Sequence, residues 1–190
     1  MRGFKKILAI AVAFGLTSLT GASAQQISPL KQAIAEAAAR DDALASFYRS
    51  TGFEPVWIQR GREAKARRKA LMAAFEEARL HGLPSSRFDA AELSAKLKSA
   101  STTRDVGRLD VELSRLFLEY ARAVQTGVLV PSKIDAGIVR KIPLRDPAKT
   151  LQAFVQSSPQ KFIERLPPQT AQYSHLMKAK LQLEGQLRRG

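Results

Sequence analysis

The sequence has 190 residues, with 31 Lys and Arg against 17 Asp and Glu, a formal net charge of +14, and no cysteine. The lack of thiols excludes a cysteine nucleophile, thiolate metal sites and a disulfide framework, so stability has to come from a packed core. The length suits one domain, and the positive balance reads either as solubility or as attraction to an anionic partner.

The chain opens with Arg2, Lys5 and Lys6, an apolar run over 7–19, and Ala22-Ser23-Ala24. A basic start, a short apolar stretch and small residues before a cut are the pattern of a cleavable secretory signal peptide over 1–24; the run is shorter than the roughly 20 apolar residues of a membrane-spanning anchor. Its removal takes away three basic residues and no acidic one, leaving 28 against 17, or +11. The expected location is the periplasm, with no membrane span in the rest of the chain. In that compartment the expected anions are cell-wall polymers, lipopolysaccharide or acidic lipid, with no role for nucleic acid.

Residues 25–190 read as a single domain. Ser28-Pro29 is an N-cap followed by proline in the first helical turn, and the helix it starts carries Ala33, Ile34, Ala37 and Ala38. Asp41-Asp42 starts a second, with Leu44, Phe47 and Tyr48, which Gly52 ends. Pro55 excludes a helical conformation at Glu54, and Val56-Trp57-Ile58 favours a strand or a pinned loop. Leu71, Ala74, Phe75 and Ala78 then share one face of a helix from about Arg62 that stops at Gly82-Leu83-Pro84.

A weaker helix over 90–98 carries Leu93 and Leu97 and ends in a polar loop over 99–103. The strongest pattern covers 105–126, where Leu109, Leu113, Leu116, Phe117, Tyr120 and Val124 form one stripe closed by Gly127. Residues 128–131 and 137–142 read as extended. Asp146-Pro147 and Ser158-Pro159 cap two short helices, and Pro167-Pro168 separates them from a last helix over 170–187 with Tyr173, Leu176, Met177 and Leu181 inward. The helical pattern still runs at Gly190, as in a natural terminus or in a chain cut before a further domain. The expected fold is mainly α, a compact multi-helix scaffold of about seven helices with one or two short extended segments.

Candidate chemistry is sparse. His81 and His175 lie in different helices without metal-ligand spacing, and there is no G-x-S-x-G elbow, Walker motif or dinucleotide glycine pattern. No catalytic, cofactor-binding or metal-binding residue is assigned. Glu76, Glu77, Asp110, Glu112 and Glu119 have basic neighbours and read as surface ion pairs, against the alternative of a glycosidase carboxylate pair. Arg60, Arg62, Lys65, Arg67, Arg68 and Lys69 put six positive charges within ten residues, with Glu63 the only acid among them. They fall in the first turns of a helix, where the macrodipole is already positive. A locally unfavourable choice of that kind is retained for a partner or tolerated as a solvated face, so the six are the candidate site for an anionic polymer.

Several phrases in order resemble a known family. They are Phe47-Tyr48, then Gly52-Phe53-Glu54-Pro55-Val56-Trp57, Gly82-Leu83 and Phe88; next Leu116, Tyr120-Ala121-Arg122 and Gly127-Val128-Leu129-Val130-Pro131; and finally Leu166-Pro167-Pro168, Tyr173 and Leu176. Together, over 43–187, they resemble the N-terminal scaffold domain of the large periplasmic murein L,D-transpeptidases. That resemblance implies a helical scaffold accompanied by a peptidoglycan-binding module and by a catalytic domain with a His and a nucleophilic Cys in a Ser-x-Gly-Cys-x-Arg motif. Such enzymes cross-link peptidoglycan stem peptides through an acyl-enzyme on that cysteine. Nothing in this sequence matches the second or third part, and no catalytic residue carries over. The family usually has tyrosine where Phe88 stands, so packing there is expected without the hydroxyl. The resemblance further implies that Trp57 is a buried anchor and that Gly82 and Gly127 end helices. The implied partners are peptidoglycan or another anionic envelope polymer, and an L,D-transpeptidase catalytic domain. The rival readings are a complete enzyme with an unrecognised site and a basic adaptor for envelope polymers or lipid.

Overall fold

Side-chain oxygens start most of the helices, as the Ser, Thr and Asp positions predict. In the computed structural model, which describes residues 28–139 and 142–189, Ser28 accepts the Lys31 N–H ahead of α1 (Pro29–Ala38) and Asp41 accepts those of Ala43 and Leu44 ahead of α2 (Asp42–Ser50). The proposed signal peptide lies outside these residues. Gly61 precedes α3 (Arg62–Glu77) without a side-chain cap, and α3 tightens into a 3-10 turn, Ala78–His81. Gly82 ends that turn in the left-handed conformation, φ +74°, with the Leu83 N–H donating back to the Ala78 carbonyl.

Asp89 caps α4 (Ala90–Ser99), and Thr102 caps α5 (Thr103–Thr126), the longest helix, after which Gly127 turns the chain at φ +81°. The run expected to be extended over 128–131 gives way at Pro131 to a short α6 (Pro131–Ile134) that was not expected, with Val130 ahead of it extended; of the second such run, 137–142, residues 140 and 141 lie outside the described residues. Then come α7 (Pro147–Val155), α8 (Pro159–Glu164) and α9 (Ala171–Leu187). The described residues thus hold nine α-helices and no strand, a mainly α fold as predicted, with two more helices than the sequence count. No helix among them is long and apolar enough to cross a membrane.

The core forms around α5. On its inner side Leu109, Leu113, Phe117, Tyr120 and Val124 are buried, and Leu116 is half-buried at the flank. Trp57 is fully buried and stacks on Phe154, ring centroids 5.4 Å apart, with Phe154 in turn stacked on Phe117 at 4.2 Å. A second aromatic group joins Phe75, Phe88 and Tyr120 at 5.3–5.9 Å; Phe88 packs in the core as expected, and does so edge-on to the other two rings. α1 lies mainly against α5 and meets it at Gly107, where a Cβ would stand 2.6 Å from that of Ala33. Only glycine lets the two backbones come that close.

The last helix departs from expectation. α9 has no buried residue, Leu176 is 71 % exposed, and Tyr173, Met177 and Leu181 are only partly covered. It touches the rest of the domain through polar contacts: His81 Nδ1 with the Tyr173 hydroxyl at 2.7 Å, Arg79 with Glu184 at 3.2 Å, and Lys180 donating to the Arg79 carbonyl at 2.8 Å. Leu129, Ile134, Val139 and Leu144 are also exposed, so apolar periodicity near the C-terminal end does not report burial within this chain.

Candidate functional site

The six basic residues of the 60–69 run do not form one surface. Arg60, Arg62, Lys65 and Lys69 are exposed. Arg60, Lys65 and Arg68 line a shallow groove of about 520 Å³ with Ile58, Leu97 and Leu109, while Arg62 and Lys69 lie outside it. Arg67 is a correction to the sequence reading: it is 7 % exposed and turned inward. One guanidinium nitrogen donates to the Val56 carbonyl at 3.0 Å, and the other to the Val155 carbonyl at 3.3 Å and the Glu63 carboxylate at 3.1 Å. Arg68 is half-buried and donates to the Trp57 carbonyl. Two of the six charges therefore serve the fold, while the basic residues of the first turn of α3, Arg62 and Lys65, face solvent.

Asp110 is the second correction. Expected on the surface, it is fully buried on α5, and its carboxylate takes four donors. Oδ1 accepts the Val56 N–H at 2.9 Å and the Tyr48 hydroxyl at 2.7 Å; Oδ2 accepts the N–H groups of Trp57 at 2.8 Å and Ile58 at 3.0 Å. One turn later, the buried Ser114 hydroxyl accepts the Trp57 indole N–H at 2.8 Å and lies 2.7 Å from the Tyr48 oxygen. With the Tyr48 proton on Asp110, Ser114 donates to Tyr48, and a chain of hydrogen bonds runs from the indole through both hydroxyls to the carboxylate.

Burial pushes the Asp110 carboxyl above its ordinary range, against the hydrogen bonds from Val56, Tyr48, Trp57 and Ile58 that pull it down. Burial also raises the Tyr48 phenol well above its usual value, and the neighbouring Asp110 charge adds to that. Four inward-pointing donors suit the ionised carboxylate, since a proton on either oxygen would face a donor.

The 55–58 segment is thus held on both sides. Its N–H groups meet an anion, its carbonyls meet two guanidiniums, and it needs no partner strand. The sequence offered two weak signals: a polar pair at i and i+4, Asp110 and Ser114, flanking the apolar stripe of α5, and an extended run without a second strand to satisfy its amides. Glu112 and Glu119 do form the expected surface pairs, with Lys96 at 2.6 Å and Arg87 at 3.4 Å. No group of three or more His, Asp or Glu that could hold a metal occurs among the described residues.

A family model described as "Scaffold domain" matches residues 42–179, most of the chain and every element from α2 into α9. The chain belongs to the scaffold domain family. No curated protein and no solved structure gives a significant match. In this scaffold domain, α1 lies outside the matched span although it packs closely on α5 at Gly107. The polar network of Tyr48, Asp110 and Ser114 falls within the span, as does Trp57.

Proposed function

We propose that this scaffold domain is a non-catalytic part of the cell envelope associated with peptidoglycan cross-linking by L,D-transpeptidases. The observation that carries the reading is the scaffold match over 42–179, on the same residues whose order resembles the N-terminal part of those enzymes. The buried chemistry agrees with it: the Asp110 and Ser114 oxygens are spent on backbone, indole and phenol donors instead of facing a groove. Export through residues 1–24 and a periplasmic location belong to the same reading. So does a partner catalytic domain, supplied by a longer form of the chain or by a separate protein.

The test combines turnover and association. Purified protein incubated with peptidoglycan sacculi should release no fragments and form no new cross-links. Added to a purified L,D-transpeptidase, it should co-migrate on size exclusion or change the cross-linking rate. Reproducible turnover by the chain alone sinks the non-catalytic claim, and absence of any effect on any L,D-transpeptidase sinks the association. The exposed Arg60, Arg62, Lys65 and Lys69 favour, as a second reading, a basic periplasmic adaptor for anionic envelope polymers or lipid.

A further inference from the structure

The outer side of α5 carries a row of arginines that neither the core nor the 60–69 run explains. Arg104, Arg108, Arg115 and Arg122 follow at intervals of four, seven and seven residues, which at 3.6 residues per turn keeps them within about 40° of one direction. They lie opposite the buried stripe. Two grooves meet at Arg115. One, of about 540 Å³ between α1 and α5, is lined by Arg40, Arg104, Arg108 and Arg115 together with Glu36 and Glu112. The other, of about 320 Å³ between α5 and the segment leading into α7, is lined by Arg115, Arg122, Arg145 and Leu144 among others.

The acids in these grooves are already engaged. Glu36 lies 3.8 Å from Arg104 and accepts from Gln32, Glu112 pairs with Lys96, Glu119 pairs with Arg87, and Asp41 caps α2. Arg40, Arg108, Arg115, Arg122 and Arg145 form no ion pair among the described residues, although the charge of Arg108 reaches Asp105 one turn away. Like charges set along one rigid helix repel one another and remain short of counter-charge, which an anion would supply.

Spacing selects among anions. Arg108, Arg115 and Arg122 recur about every 10.5 Å along the helix, seven residues at 1.5 Å each. A nucleic acid strand presents a phosphate roughly every 3.4 Å, so this ladder would pair about one phosphate in three and leave the others without a counter-charge. A bilayer is broad and flat, whereas these guanidiniums line two grooves. A polysaccharide with one charged group per disaccharide has its anions about as far apart as these arginines. We propose that the α5 row binds an extended anionic polysaccharide, one carboxylate or phosphate per disaccharide, along a track from Arg108 to Arg122. The guanidinium fork matches both groups with two parallel hydrogen bonds, so the polymer is held through its charges without aromatic stacking. This track stands whether or not a transpeptidase is engaged.

The test uses the chain from residue 25 on, which contains every described residue, and hyaluronate oligosaccharides of four or more disaccharides, a probe with one carboxylate per repeat. Fluorescence anisotropy of the labelled probe reads affinity. Binding is expected, and R108Q/R115Q/R122Q should weaken it at least about tenfold and flatten its salt dependence, as loss of three counter-charges requires. K161Q/K178Q/R188Q, which removes the same charge from exposed positions outside both the row and the 60–69 run, should change affinity less than about twofold if the row and not net charge is read. No binding, equal loss in both variants, or no fall in affinity for a single disaccharide overturns the proposal. So does tighter binding of single-stranded DNA or phosphatidylglycerol vesicles with the same dependence on Arg108, Arg115 and Arg122.

Discussion

Replacing Asp110 by Asn keeps the side-chain volume and removes both the charge and one of the two acceptor oxygens. The native carboxylate satisfies four donors, two on each oxygen. An amide can accept from only two of them, and its NH2 then faces the other two. Each buried donor left without a partner is worth about 1–3 kcal/mol, so the pair amounts to roughly 2–6 kcal/mol. Relief from burying a charge offsets part of that, and we expect a net loss of about 3 kcal/mol, a large share of the 5–15 kcal/mol typical of a whole domain. The assay is urea unfolding followed by the fluorescence of Trp57, the only tryptophan in the chain, whose indole N–H bonds Ser114 and whose amide bonds Asp110. Asp110→Asn should lower the midpoint without changing the slope. Ser114→Ala should destabilise less and combine non-additively with it, since the two share Tyr48 and Trp57. A variant within about 0.5 kcal/mol of the parent, the range usual for surface changes, refutes the reasoning.

Other substitutions probe separate contacts. Gly107→Ala gains about 1 kcal/mol of helix propensity, but its methyl meets the Ala33 Cβ and the Ile34 backbone nitrogen, so a net loss of about 1–2 kcal/mol is expected in thermal melts; a stabilised variant contradicts the close α1–α5 approach. Arg67→Ala orphans the Val56 and Val155 carbonyls and should lose about 2–3 kcal/mol by the cost of unpaired buried acceptors, against almost nothing for Arg62→Ala, as denaturant titration would show. Burial holds the His81 imidazole below its ordinary value of 6.5, with Glu77 opposing, so folded and unfolded states are both neutral above that pH and the unfolded state alone takes up the proton just below it. The contribution of His81 to stability is therefore full above about pH 6.5 and lost as pH falls through the window beneath it. Hydrogen exchange in α9, corrected for intrinsic rates, should accelerate there, and His81→Phe should remove the dependence.

Helix starts were legible because their cause is local. Ser28, Asp41 and Asp146, read as caps, each accept an N–H two or three residues on, and Asp89, Thr102 and Thr170 do the same without having been singled out; Ser158, also read as a cap, makes no side-chain cap bond, and Pro159 alone starts α8. The stripe of α5 and the anchor at Trp57 were legible for the same reason, through periodicity and size. Asp110 was not, because its donors stand 52 to 62 residues earlier and nothing near it in sequence announces them. Arg67 was hidden inside a run of like residues, where charge density masks the single side chain that faces inward. In α9 the error ran the other way: Leu176, read as inward, is exposed, and Tyr173, Met177 and Leu181 are only partly covered, so residue type located the helix but not what it covers.

The segment around Trp57 has no helix or strand, and by appearance it is the least ordered connection near the core. Its amides tell otherwise. The N–H groups of Val56, Trp57 and Ile58 are all bound by one carboxylate that belongs to the central helix, and two carbonyls are bound from α3. None of these amides is freed by fraying of a neighbouring turn; release requires α5 to part from the loop, which means opening the domain as a whole. Irregular backbone here should exchange its hydrogens as slowly as the centre of α5, so the slowest-exchanging unit crosses secondary-structure boundaries and includes a loop.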